Sequence, residues 1–232
     1  MKKYIYSFWP LYLTCIVAFV ILVTSANRAV TAIANNMPVK RGKTIIIDAG
    51  HGGDDGGATS CTGVLESSIN LEIALRLEDL MHLLGYNTVM IRRTDTSVYT
   101  EGDTIATKKI SDLKERVRVV NETQNCILLS IHQNIFADSR YAGAQVFYND
   151  VEAAQTLAER LQNNFIATLN VGSHRNCKKS EGVYLMQHIT QPGLLVECGF
   201  LSNPDEEAKL RTREYQQKIS CVIAATLAEC LN

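Results

Sequence analysis

Three runs of this 232-residue chain are apolar almost throughout, and each one leads to a polar residue at its end. III at 45–47 leads through Asp48, Ala49 and Gly50 to His51, LLSI at 128–131 leads to His132, and LLV at 194–196 leads to Glu197. Strands that are apolar on both faces must be covered on both, which is the condition of a mostly parallel sheet between helix layers. The intervening segments have helical spacing. Ile69, Ile73, Leu77, Leu80 and Leu84 recur every three or four residues and stop at Gly85, a natural helix terminator. Further helices are predicted over about 111–123, over 151–169 and in the carboxy-terminal segment. Strands are predicted at 43–48, 86–91, 126–131, 143–148, 182–186 and 194–198, with residues 94–109 as a long polar loop. The expected fold class is therefore α/β: a single domain with a mostly parallel sheet of about six strands flanked by helices. A content of 46% hydrophobic and 20% charged residues supports a buried core, and a formal net charge of −1 argues against nucleic acid as a partner.

The domain is preceded by a different kind of sequence. After Met1-Lys2-Lys3, an apolar run extends from Phe8 to Val23, and basic residues before such a run orient the remainder of the chain outward. The run is short for a spanning helix of ~20 residues and long for a signal core of ~7–15. Residues 1–42 are accordingly expected to hold either a signal peptide, with Ala32-Ile33-Ala34 as its cleavage site, or a retained membrane anchor, followed by a connector. Residues 43–232 are the expected main domain, acting outside the cytoplasm. Seven cysteines in an exported chain raise the question of disulfides. Cys126 and Cys198 fall in strand-like runs, no CxxC pair occurs, and mostly free thiols are expected, with room for one bridge.

In an open α/β sheet, ligands bind at the carboxyl ends of the strands. The glycine-rich stretch after β-like IIIDA carries neither GxGxxG nor GxxxxGK[ST], and Asp54 and Asp55 would repel a phosphate. A metal reading fits better. His51 and His132 each follow a core strand, and Glu66 begins the first helix, from which it can point back across the loop; two imidazoles and a carboxylate are ordinary zinc ligands. Glu197, set in an apolar run, is either a general base for a zinc-activated water or the buried partner of an arginine such as Arg92 or Arg116. Asp48 is read as a residue orienting a histidine or as a turn cap. His82 is expected on a helix surface, and His174 and His188 in loops that could line a cleft.

DAGHGGDDGGA, Glu66, SIHQN at 130–134 and LLVECGFLSNPDE at 194–206 occur in an order that resembles the zinc-dependent N-acetylmuramoyl-L-alanine amidases, cell-wall amidase family 3. The resemblance covers about residues 43–230. It implies zinc held by His51, Glu66 and His132, Glu197 as catalytic base, and hydrolysis of the amide between the lactyl group of N-acetylmuramic acid and L-alanine of the peptidoglycan stem peptide. Short length and the single amino-terminal apolar segment are similar to the spore-cortex subgroup, where stem removal precedes muramic-δ-lactam formation. Peptidoglycan is the implied partner, together with the membrane if the amino-terminal segment is uncleaved and an accessory protein if activity is regulated. The sequence departs from the family pattern at Ala49, commonly proline, and at Gln133, commonly small, where a larger side chain is expected either to narrow the cleft or to change substrate preference. A zinc peptidase cutting elsewhere in the stem, and an idle wall-binding protein of the same fold, are the competing readings.

Overall fold

The computed structural model describes residues 14–25 and 42–231. The chain divides into two compact units, Met1–Val39 and Lys40–Asn232. In the first, residues 14–25 form helix α1, and no helix among the described residues is long and apolar enough to cross a membrane. The start of the apolar run, the proposed cleavage site and the connector lie outside the described residues.

The second unit is built on β1 (Thr44–Ala49), whose isoleucines are fully buried. It is flanked by β2 (Thr88–Met90) and β3 (Cys126–Asn134), and the sheet continues through β6 (Gly193–Phe200), β4 (Gln145–Tyr148) and β5 (Lys178–Lys179) in the order β2-β1-β3-β6-β4-β5. All pairings are parallel except β4 with β6. This is the α/β architecture expected from the doubly apolar strands.

Alternation along the strands sorts residues onto two faces. Ile45, Ile47, Leu129, Ile131, Leu194 and Val196 pack with α2 (Glu66–Leu83), α4 (Glu152–Thr168) and α7 (Arg213–Cys230). Ile46, Leu128 and Leu195 face the other way, toward Val120 of α3 (Ile105–Glu122) and Leu185 and Met186 of α5 (Tyr184–His188). A short α6 (Pro204–Leu210) follows β6, started by Asn203, whose side chain accepts from the Glu206 amide. All seven cysteines are free, with Cys126 and Cys198 buried.

Three elements differ from expectation. The segment 182–186 is not a strand: residues 184–188 form α5, because a five-residue apolar run is ambiguous and Leu, Met and Gln are good helix formers. Helix α3 begins at Ile105, inside the expected loop, where Thr104 and Thr107 exchange capping hydrogen bonds. Its first turns leave Ile105 and Ile110 exposed, so no buried periodicity announces them. Strand β5 is two exposed lysines at the sheet edge, a pairing with no apolar signal.

Candidate metal centre

β3 runs two residues past His132, and β6 three past Glu197, so both residues lie within strands rather than after them. They are also register partners, which places them side by side on the α3/α5 face. Glu66, the first residue of α2, reaches the same point from the helix terminus. One ligand atom from each of His51, Glu66 and His132 lies within 4.8 Å of the others. His132 Nδ1 is 2.9 Å from Glu66 Oε1, and His51 Nε2 is 3.4 Å from Glu66 Oε2.

The glycine loop makes this convergence sterically feasible. A Cβ on Gly50 would sit 2.2 Å from Cε1 and Nε2 of His132. At Gly57, where φ is +69°, it would sit 2.7 Å from both Glu66 Oε2 and His51 Cδ2. Only glycine leaves room for the rings and carboxylate at these two positions. His51 itself has φ +62°, an uncommon conformation for a residue with a side chain, which the surroundings must hold in place. The Arg116 guanidinium does so, donating Nη2 to His51 O at 2.8 Å.

Arg116 and Arg92 together clamp the end of β1. Arg116 is buried and pairs with Asp48, whose other oxygen accepts from Ser130 Oγ at 2.7 Å, and with Asp112 at 2.6 Å. Arg92 donates to the carbonyls of Ala49, Gly50 and Ser67 at 2.7, 3.1 and 2.8 Å. Asp48 therefore neither orients a histidine nor caps the turn; it anchors Arg116. Besides Glu66, the carboxylate that meets a histidine is Asp55, 2.9 Å from His51 Nδ1. Its place four residues after His51 is the signal in the sequence that could have found it.

With both arginines engaged, Glu197 has no cationic partner among the described residues. Its Oε2 is buried without a hydrogen bond. Burial, reinforced by nearby Glu66 and opposed by His132 and His51, pushes its carboxyl up to about 7. Glu66 behaves oppositely. Burial would raise its pKa, but hydrogen bonds with His132 and His51 hold it far below the usual carboxylate range. Burial lowers the pKa of His51, but Glu66 and then Asp55 outweigh it and raise it. Two imidazoles and an ionised carboxylate converging within 4.8 Å make a donor set that fits a zinc-type cation. The residue poised next to it holds protons near neutrality.

Asn70 supports the carboxylate. Fully buried four residues after Glu66, it donates to Glu66 Oε1 at 3.2 Å and to Gly50 O at 3.1 Å, and accepts from Gln133 Nε2 at 3.2 Å. Gln133 is thus buried against α2 and does not narrow the cleft, contrary to expectation. His82 is exposed on α2 and bonded to Thr88, as expected of a surface histidine. His174 and His188 are exposed, and neither lines the cleft. His188 instead stacks on Tyr184 at 3.9 Å between ring centroids, and Tyr184 does line it. The cleft measures about 270 Å³; its walls include Lys109 and Leu113 of α3, Tyr184, and Glu197 beside His51 and His132.

The sequence pattern of the N-acetylmuramoyl-L-alanine amidases matches residues 45–229. The germination-specific N-acetylmuramoyl-L-alanine amidase of Bacillus subtilis is 37% identical over 188 residues, covering 78% of this chain and 77% of the relative. The CwlD amidase of Clostridioides difficile, whose structure is in complex with the GerS lipoprotein, superposes with a TM-score of 0.78 at 35% identity, over 81% of this chain and 98% of that one. The catalytic domain of the amidase CwlV from Bacillus (Paenibacillus) polymyxa gives 0.68 at 28% identity, over 81% and 97%. Sequence pattern, relatives and fold agree: the chain belongs to the N-acetylmuramoyl-L-alanine amidase family and is an enzyme of that class, a peptidoglycan amidase.

Proposed function

We propose that residues 43–232 are a zinc-dependent catalytic domain in which His51, Glu66 and His132 hold the metal and Glu197 is the general base. The single observation that carries this reading is the contrast between two buried carboxylates within one cleft: Glu66 is ionised and gripped by both imidazoles, while Glu197 is unpartnered with a pKa near neutrality. When bound, zinc supplies Lewis acidity to a water molecule and to the scissile carbonyl. Glu197 would accept a proton from the attacking water and return it to the departing nitrogen of L-alanine, a transfer for which a pKa near the working pH is suited. Asp55 fixes the His51 ring through Nδ1, and Asn70 fixes the Glu66 carboxylate, so that neither ligand has to reorganise.

The proposed setting is extracytoplasmic, as action on peptidoglycan requires. Similarity to the germination-specific amidase of B. subtilis supports a role in the spore cortex, with removal of the stem peptide as the step that precedes muramic-δ-lactam. Similarity to the CwlD amidase, found with the GerS lipoprotein, supports an accessory protein as a partner. The amino-terminal apolar segment is proposed to direct export, as a signal peptide or an anchor.

The test is mass spectrometry of digested peptidoglycan alongside metal analysis. Expected products are stem peptides with a free L-alanine amino group and glycan that keeps its lactyl groups. The protein should carry about one zinc per chain, lost in His132→Ala. In Glu197→Ala the metal should remain while activity drops by ~10²–10⁴-fold. Cleavage between amino acids of the stem would overturn the substrate assignment, and loss of metal from Glu197→Ala would make that residue a ligand.

A further inference from the structure

The cleft holds about 270 Å³, below the ~300–1,000 Å³ of pockets that enclose a drug-sized ligand. It cannot enclose a sugar and a stem peptide together, so part of a peptidoglycan substrate must lie on the surface beside it. Exposed apolar side chains follow β3, the strand that carries His132. Ile135, Phe136 and Tyr141 are 50%, 53% and 47% exposed, on the loop that joins β3 to β4 at the catalytic edge of the sheet. The rings of Phe136 and Tyr141 meet edge to face at 4.8 Å, and Tyr141 leans on buried Phe200 at 6.1 Å.

The register of the sheet ties this patch to the catalytic base. Glu197 pairs with His132 on one side and with Gln145 on the other, so the three side chains share a face. An irregularity between His132 and Asn134 then makes Phe200 the partner of Asn134. The irregularity lets Phe200, an odd number of residues beyond Glu197, fall on the same face, a known use of bulges beside active sites. Arg175 closes the connection. Its guanidinium donates to Gln145 Oε1 at 2.9 Å and to Ala142 O at 3.1 Å, while lying 4.8 Å over the Phe200 ring and 5.9 Å from that of Tyr141.

We propose that Phe136, Tyr141 and Arg175 form a subsite for the glycan backbone, with an N-acetylated sugar ring packed into the angle between the two exposed aromatics. The apolar C–H face of a pyranose suits an aromatic platform, and the guanidinium offers donors to its hydroxyl and acetamido oxygens. Exposed apolar surface rimmed by polar groups is a mark of ligand-binding sites. The peptide side of the scissile amide then occupies the cleft between α3 and Tyr184. This inference rests on the amidase reading.

The experiment is calorimetric titration of the full chain with peptide-free glycan oligosaccharides of N-acetylglucosamine and N-acetylmuramic acid, which are not hydrolysed. Phe136→Ala combined with Tyr141→Ala should weaken this binding by at least about tenfold, or ~1.4 kcal/mol. Val171→Ala, an 82% exposed apolar residue on the α4–β5 loop, is the control and should leave affinity within about twofold. Both replaced aromatics are exposed, so an unchanged melting temperature certifies the fold. Unaltered glycan affinity in the double variant overturns the subsite, as does loss of stem-peptide binding in its place. Hydrolysis of a muramoyl-peptide by the wild type is followed in parallel. Hydrolysis with unaltered glycan binding sinks the subsite alone, whereas absence of hydrolysis sinks the amidase reading.

Discussion

The two faces of the sheet are built on opposite principles. On the face covered by α2, α4 and α7, twenty-eight buried residues among those described form one apolar cluster. On the face covered by α3 and α5, the corresponding cluster has eight. Where the first face carries Ile47, Leu129 and Val196, the second carries Asp48, Ser130 and Glu197, each one residue further along its strand. The same three strands thus spend one side on packing and the other on polar groups that burial penalises. Stability is concentrated behind the sheet, and this is what permits an unpartnered carboxylate in front of it.

The sharpest break between the faces is expected at Glu197. Glu197→Gln should lower activity by ~10²–10⁴-fold. It should also melt no lower than the wild type, because an amide costs less to bury than an unpaired carboxylate. Activity assays and a thermal melt on the same sample read both halves, and a melting temperature well below wild type would show that Glu197 has a stabilising partner. Next in size, and opposite in kind, is Phe165→Ala on the packing face. Phe165 is fully buried in the larger cluster, so truncation should cost about 3–5 kcal/mol in denaturant unfolding. The turnover number of the folded fraction should be unchanged.

The contrast also explains what was legible in the sequence. IIID, CILLSI and LLVEC announce the sheet because both their faces are apolar for most of their length, and the helix from Glu66 shows its stripe because α2 packs on the crowded face. His51, Glu66, His132 and Glu197, the residues proposed for the centre, stand out in the sequence because polar residues interrupt those apolar patterns. Legibility fails on the thinner face. The first turns of α3 have little to bury, and α5 contributes only Leu185 and Met186 to the core, so neither has a periodicity long enough to read. The clamps were hidden for another reason. Arg92 and Arg116 act on carbonyls and carboxylates that are distant in sequence, and no local pattern records a partner 68 residues away. Asn70 lies on the α2 stripe and reads as one polar residue among apolar ones until the register of β3 brings Gln133 against it.

Asn70 offers the third test, since it belongs to the packing face but serves the centre. Asn70→Ala removes the amide that holds Glu66 Oε1 and Gly50 O, and supporting residues of this kind are worth ~10–100-fold in metal affinity. Zinc affinity measured by chelator competition should fall within that range. A fall in melting temperature with zinc affinity intact would make Asn70 a packing residue only.

The smallest expected effect lies at the start of α3, the helix that brings Lys109, Asp112 and Arg116 to the thin face. Thr104 caps it by accepting from the Thr107 amide at 3.2 Å, and the Thr107 hydroxyl donates back to the Thr104 carbonyl at 3.0 Å. Thr104→Ala removes the cap, at a cost of about 1 kcal/mol. Arg116 lies three turns further on and is held by Asp48, Asp112 and the His51 carbonyl, so fraying at Ile105 should not reach it. Unfolding free energy should therefore fall by about that amount while kcat/KM stays within about twofold. A larger loss of activity would mean that α3 moves as one rigid piece, and that the thin face depends on its helix ends as the thick face does not.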